Sequence, residues 1–172
     1  YLFAYRFEEA IDQANQAISM HPNFYMGHWF LGMAYQCVSK MEEAIEEYRK
    51  AVELSDGVNM VIAFLAGALY ETGRIEEAEK LIQNLERRAE AEYVPATCFT
   101  GYYSLKGDHE KVNYWVERAI NDRDSFLPLF IKFPHKKYRI PNEPRYAGDK
   151  KMYHDGSRRD IHLFHCAPPF LA

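Results

Sequence analysis

The sequence predicts an all-α fold, an α-solenoid of stacked helical hairpins, and three observations lead to that prediction. The triplet Glu-Glu-Ala recurs at residues 8–10, 42–44 and 76–78, a spacing of 34 residues both times. Apolar residues within each period fall at helical spacing, as between Phe30 and Tyr35. No segment has the pattern of a β-strand. A fixed period of this size indicates one repeated supersecondary unit.

Each unit is predicted to contain two helices, A and B, joined by a short link. The links are residues 38–40, 71–74 and 105–108, and the last two contain glycine. Glycine suits the left-handed conformation that often closes a helix. The alanine of each triplet has a packing role, because two helices approach closely only where one of them presents a small side chain. Each unit is therefore expected to be a tightly packed antiparallel hairpin.

These residues resemble the tetratricopeptide repeat family, whose first helix carries Leu-Gly-x-x-Tyr and whose second carries Ala-x-x-x-Phe. The best copy matches as Leu31-Gly32-x-x-Tyr35 and then Ala44-x-x-x-Tyr48, and Pro22 ends the preceding copy. The resemblance covers about residues 1–125. It implies tetratricopeptide-type hairpins that form a right-handed superhelix, with the A helices along the inner groove and the B helices outside.

The chain departs from that pattern at three columns. His28 stands at the signature tryptophan position, with Trp29 beside it. Ala66 replaces the usual glycine, and Val112 stands in the alanine column of the last copy. The match is therefore weakest in the final repeat.

The period divides the chain into segments. They are a half repeat at 1–24, full repeats at 25–58, 59–92 and 93–125, a capping helix and C-terminal ending at 126–146, and a basic tail at 147–172, irregular or disordered. The stretch 133–146 resembles the ending of repeat arrays in bacterial signalling proteins. Together with a start inside a repeat, it predicts that the chain is the docking or regulatory part of a larger protein.

Charge and composition narrow the function classes. The 172 residues carry 21 basic and 25 acidic side chains, which disfavours nucleic acid as a partner. The charge is uneven: residues 1–125 have net charge −9 and residues 126–172 have net charge +5. Three separated cysteines favour reduced thiols, and no stretch is apolar enough for a membrane span. The sequence predicts a cytoplasmic protein that contacts neither nucleic acid nor membrane.

No arrangement of residues predicts an enzyme or a cofactor. The only metal-like spacing lies in the tail, at His154, Asp155, His162, His165 and Cys166, and its irregular context argues against a functional zinc site. The repeated Glu pairs are interpreted as solvated helix starts, favoured by the helix dipole, and not as catalytic acids. We therefore predict no catalytic residue, no metal and no cofactor.

The predicted groove is lined by A-helix residues that are apolar or uncharged. The predicted A helices lack Lys and Arg, which excludes the clamp that some family members use for acidic C-termini. The prediction is an interaction module that binds an apolar peptide or helix, and the alternative is self-association of two copies. Many of these side chains could instead belong to the core between repeats. The candidate residues are Met26, Trp29, Phe30, Met33, Gln36, Met60, Phe64, Tyr70, Thr97 and Cys98.

The charge split suggests one more contact. The basic tail, from about Lys136 onward, is expected to lie across the acidic repeats near Glu110 and Glu117, or to dock on a neighbouring copy. A disordered end after about Met152 is the alternative.

Overall fold

A computed structural model describes residues 1–128, and within this range the chain forms seven α-helices and no strand. The all-α fold is confirmed there. A single 3₁₀ turn at Leu2–Ala4 precedes the helices. The tail residues for which a metal site was weighed and an electrostatic contact was predicted lie outside the described range. The helices are α1 Phe7–Met20, α2 Tyr25–Cys37, α3 Met41–Leu54, α4 Asn59–Glu71, α5 Ile75–Ala91, α6 Thr97–Lys106 and α7 His109–Asn121.

The helix starts keep the period found in the sequence. Helices α3, α5 and α7 begin 34 residues apart, at Met41, Ile75 and His109, and α2 and α4 are separated by the same distance. Helix α6 begins four residues later than the period requires. Pro95 explains the delay, because a proline disfavours helical backbone in the residue before it.

The A and B helices of the first full repeat meet at a point where only glycine fits. A Cβ atom built on Gly32 of α2 would lie 2.6 Å from the Tyr48 ring of α3 and 3.2 Å from the Ala44 carbonyl oxygen. Ala44, Tyr48 and the equivalent Ala78 of α5 have no exposed surface. The expected role of the alanine column, to let paired helices approach closely, is confirmed.

Helix α4 is apolar around its whole circumference and forms the centre of the core. Ten of its 13 residues are buried, and it packs against α3, α5 and α6. A helix that is hydrophobic on every side is stable in water only when neighbours enclose it. The second full repeat therefore has the least exposed A helix.

The link between helix A and helix B takes the same backbone form in each full repeat. Gly73 and Gly107 have φ of 81° and 73°, and Ser39, which stands at the same column, has φ of 63°. Glycine adopts this left-handed region without the steric cost that a side chain adds. The first full repeat therefore makes this turn with a steric cost at Ser39 that Gly73 and Gly107 avoid in the other two repeats.

The repeated glutamates do more than favour the helix starts. Glu42, at the start of α3, accepts from Arg74 at 2.5 Å, and Glu77, at the start of α5, accepts from Arg49 at 2.5 Å. Both pairs join one repeat to the next across the surface. Exposed ion pairs contribute about 0–1 kcal/mol each to stability, so these two pairs mainly fix how neighbouring repeats are aligned.

Candidate functional site

The A helices carry very little charge, as the sequence indicates. Helix α2 has no acidic or basic side chain apart from His28, and α4 has only Glu71 at its last position. The expectation that A helices lack Lys and Arg is wrong at one point. Helix α6 runs on to Lys106, whose ammonium group pairs with Glu79 of α5 at 2.9 Å.

The ten predicted groove residues differ widely in exposure. Phe30 is exposed to 40%, and Met26 and Tyr70 are half-buried. Trp29 keeps only 6% of its surface. The remaining six are buried in the core, where they pack the repeats together and present no surface to a partner: Met33, Gln36, Met60, Phe64, Thr97 and Cys98.

Three of the predicted groove residues form one aromatic cluster across α2 and α4. Trp29 and Phe30 stack with ring centroids 5.6 Å apart and planes at 16°. The Phe64 ring of α4 meets Trp29 edge-on at 5.7 Å. Such arrangements suit the quadrupoles of the rings and hold them in place. Phe30 is thus an exposed ring that stacks on the buried ring of Trp29.

Two buried hydrogen-bond donors on A helices have no acceptor among the described residues. They are the indole N–H of Trp29 in α2 and the hydroxyl of Tyr102 in α6. Tyr102 packs edge-on against the half-buried Tyr70 of α4 at 5.4 Å. Buried polar groups in folded proteins nearly always have a partner, so each of these two needs an explanation.

Gln36 is buried because it joins three helices. Its side-chain nitrogen donates to Glu71 of α4 at 3.0 Å, and its oxygen accepts from the Tyr48 hydroxyl of α3 at 2.7 Å. Burial raises the pKa of the Tyr48 hydroxyl well above its usual range, so this group stays a donor. The network gives Gln36 a structural role.

Thr97 is held by an acid that the sequence analysis missed. Asp124, which is buried, accepts from the Thr97 backbone N–H at 3.0 Å and from the Thr97 hydroxyl at 2.8 Å. Its other oxygen accepts from the Phe126 backbone N–H at 2.9 Å. The carboxylate therefore caps the start of α6 from 27 residues away, where the chain offers no local cap.

The thiols of the described chain are not poised as nucleophiles. Burial raises the pKa of Cys37 to about 11, and it raises the pKa of Cys98 further. A protonated thiol is a poor nucleophile and a poor metal ligand. Residues 1–128 hold no group of three or more side chains suited to a metal ion.

His28, at the column where the tetratricopeptide pattern has tryptophan, is a buried polar residue that contacts two acceptors. Its Nδ1 lies 2.6 Å from the Glu47 carboxylate of α3, and its Nε2 lies 3.0 Å from the Pro22 carbonyl oxygen. Both neighbours are acceptors, so both bonds form only when both ring nitrogens carry hydrogen or when the Glu47 carboxyl is protonated. The histidine therefore joins the link before α2 to α3.

This architecture defines the class of protein. The described residues form helical hairpins with a 34-residue period, which is the architecture of a helical-repeat solenoid. None of the described helices has the length and apolar character needed to cross a membrane.

Comparison with known proteins identifies a distant relative. Anaphase-promoting complex subunit 8 from Arabidopsis thaliana is 24% identical over an alignment 156 positions long, and the alignment covers 71% of this chain and 27% of that protein. The chain thus spans about a quarter of the length of the relative that it matches. No family model and no solved structure matches the chain.

Proposed function

We propose that this chain is a protein–protein interaction module whose A-helix face takes an uncharged, apolar segment of another polypeptide. One observation carries the proposal: Phe30, a large aromatic ring, stays 40% exposed on a helix that has no charged side chain apart from His28. Aromatic side chains on a rigid support are the usual anchors of protein interfaces.

The burial pattern narrows the proposed surface. Its contact residues are Phe30, Met26 and Tyr70, with Trp29 directly beneath Phe30. Because the stacked indole holds the Phe30 ring, binding costs little side-chain entropy. The flexible Met26 adapts its shape to the partner. The six buried members of the predicted set act by positioning these four.

The relative supports the general role and no particular partner. That protein is, by its name, a subunit of a complex. For this chain the proposed role is the docking or regulatory part of a larger cytoplasmic signalling protein, without catalysis of its own. The signalling context rests on the resemblance of residues 133–146, which lie outside the described range.

Panning a library of random 12-residue peptides displayed on phage against the whole chain tests this surface. Enriched peptides are then measured on Phe30→Ala and on the matched control Phe24→Ala. Phe24 is exposed to 43%. Its ring and the Ile18 side chain of α1 both lie within 3.5 Å of the position that a Cβ atom on Gly27 would take. We expect at least tenfold weaker binding to Phe30→Ala and unchanged binding to Phe24→Ala. Equal binding to both variants, or no enrichment at all, would refute the proposed surface.

The same two variants test self-association. Sedimentation at several protein concentrations gives the mass of the wild-type chain in solution. A dimer that dissociates in Phe30→Ala and persists in Phe24→Ala would assign the surface to a second copy of the chain. A monomer at all concentrations leaves another polypeptide as the occupant.

A further inference from the structure

Tyr93 is the most exposed tyrosine among the described residues, with 64% of its surface free. It lies in the link between α5, which ends at Ala91, and α6, which begins at Thr97. The backbone just before it is extended at Glu92, with φ of −141° and ψ of 165°. The tyrosine hydroxyl is therefore carried by an exposed, non-helical segment that the cleft of another enzyme can enclose.

Burial on one side of the link fixes the direction of the Tyr93 side chain. Val94 keeps only 3% of its surface and Ala96 keeps none, so both hold the link against the core. Pro95 disfavours helical backbone at Val94, and side chains alternate in direction along extended backbone. Tyr93 therefore faces solvent because Val94 is buried.

The other exposed tyrosines of the described range lack one of these properties. Tyr114 is exposed to 57%, but it lies inside α7, where the backbone is helical. Tyr1 and Tyr5 flank the 3₁₀ turn, and Tyr5 has left-handed backbone with φ of 59°. Tyr93 alone in this range combines an exposed ring with a link between two α-helices.

We propose that Tyr93 is a phosphorylation site for a tyrosine kinase whose substrate cleft is basic. In this reaction the tyrosine oxygen attacks the γ-phosphorus of ATP and the bond to the β-phosphate oxygen breaks. ADP leaves, and the hydroxyl proton passes to a base of the kinase. Glu90 and Glu92 precede the tyrosine and are both exposed, so they offer two carboxylates to such a cleft.

The charges near Tyr93 make the chain sensitive to this modification. Partial burial, and then the carboxylates of Asp124 and Asp122, raise the pKa of the Tyr93 hydroxyl. Both acids thus act on the position that receives the phosphoryl group, which brings a charge of about −1.5 to −2 at pH 7. Arg118 acts with the opposite sign, but it already pairs with Asp122 at 3.4 Å.

Repulsion is expected to act where α6 begins. Asp124 accepts the two hydrogen bonds from Thr97 that hold this helix start. A phosphoryl group on Tyr93 places a second negative charge near that carboxylate, so it favours separation of the link from Asp124. Phosphorylation therefore loosens the first turn of α6 and leaves the earlier helices in place.

Kinetic labelling tests whether the folded chain is a substrate. The whole chain is incubated with Mg²⁺, ATP and the catalytic domain of a broad-specificity tyrosine kinase, and mass spectrometry follows each tyrosine. Synthetic peptides 86–100 and 107–121 give the rates of the same sequences without the fold. We expect Tyr93 in the folded chain to react within about threefold of its peptide, and Tyr114 at least about tenfold more slowly than its own. Protection of Tyr93 as strong as that of Tyr114, or no labelling of Tyr93, would overturn the site.

A fixed charge tests the response separately. p-Carboxymethylphenylalanine, a stable mimic of phosphotyrosine, replaces Tyr93 by amber suppression, and Tyr93→Phe is the uncharged control. The melting temperature of the charged variant should fall by about 3 °C or more, and amide exchange at Thr97 should accelerate about tenfold relative to α4. Tyr93→Phe should change neither.

The source of the effect is checked in an Asp122→Asn background. This substitution removes one of the two carboxylates and releases Arg118 to meet the new charge, so the fall in melting temperature should shrink. An equal fall in both backgrounds, or no fall in either, would overturn the proposed response. None of these measurements involves Phe30, so their outcome leaves the proposed binding surface unaffected.

Discussion

Gly32 of α2 faces Tyr48 of α3 in the first full hairpin, and the Tyr48 ring lies where a side chain on Gly32 would begin. Tyr48 is fully buried, and its hydroxyl is fixed to Gln36. The ring has no free direction in which to move. The close approach of α2 and α3 therefore depends on a missing methyl group.

Gly32→Ala is expected to lower the free energy of unfolding by about 1–3 kcal/mol, because the added methyl overpacks the contact with Tyr48. Urea unfolding followed by circular dichroism measures the change. The control is the same substitution in a Tyr48→Ala background, where the added methyl has room and its cost should largely vanish. Equal costs in the two backgrounds would show that Tyr48 does not set the limit.

Glu47→Ala is expected to cost about 1–3 kcal/mol, because it leaves the buried His28 ring without the carboxylate that it contacts at 2.6 Å. Glu46 is the neighbouring residue on the same helix and is exposed. Glu46→Ala should change stability by no more than about 0.5 kcal/mol. Thermal unfolding of both variants measures the difference, and a similar loss from each would argue against a specific role for the His28 contact.

The fold could be predicted because the repeat carries the same information several times. One hairpin with alanine and glycine at its contact is weak support, but Ala44 and Ala78 repeat the feature 34 residues apart and both are fully buried. Helix starts follow the same period wherever no proline intervenes. The late start of α6, at Thr97, follows from the nearby Pro95, which can be read directly from the sequence.

The candidate site was less predictable, because the period shows which residues share a column but not how closely neighbouring helices approach. Met33 and Phe30 are equally apolar residues on one helix, yet the first is fully buried and the second exposed to 40%. The sequence did not indicate the capping role of Asp124, since its partner Thr97 is 27 residues away. The sequence did mark His28 as unusual, because a polar side chain at a tryptophan column needs buried partners.

Asp124→Ala is expected to cost about 1.5–3 kcal/mol, because it removes a buried acceptor of three hydrogen bonds, two from Thr97 at the start of α6 and one from the Phe126 backbone N–H. Amide hydrogen exchange at Thr97 should also accelerate relative to amides in α4, since the lost cap frees the first turn. Asp12→Ala, at an exposed position of α1, is the control and should change stability by about 0.5 kcal/mol or less. Unchanged exchange at Thr97 would contradict the capping role.

The ionisation of Cys37 gives the last prediction. Burial raises the pKa of its thiol to about 11, compared with about 8.5 for an unperturbed cysteine. At pH 8 the thiolate fraction is then about 0.1% instead of roughly a quarter, so alkylation by iodoacetamide should be slower by about 200-fold. Because a raised thiol pKa delays ionisation, the rate should rise about tenfold per pH unit from pH 8 to 10, where an ordinary thiol levels off near pH 9. Mass spectrometry of the peptide containing Cys37 follows the reaction, with circular dichroism to confirm that the chain stays folded. The same peptide in urea-unfolded protein is the control and should react at the ordinary rate. A folded-state rate that levels off near pH 9 would show that the Cys37 thiol is solvated and that the packing at the end of α2 is looser than described.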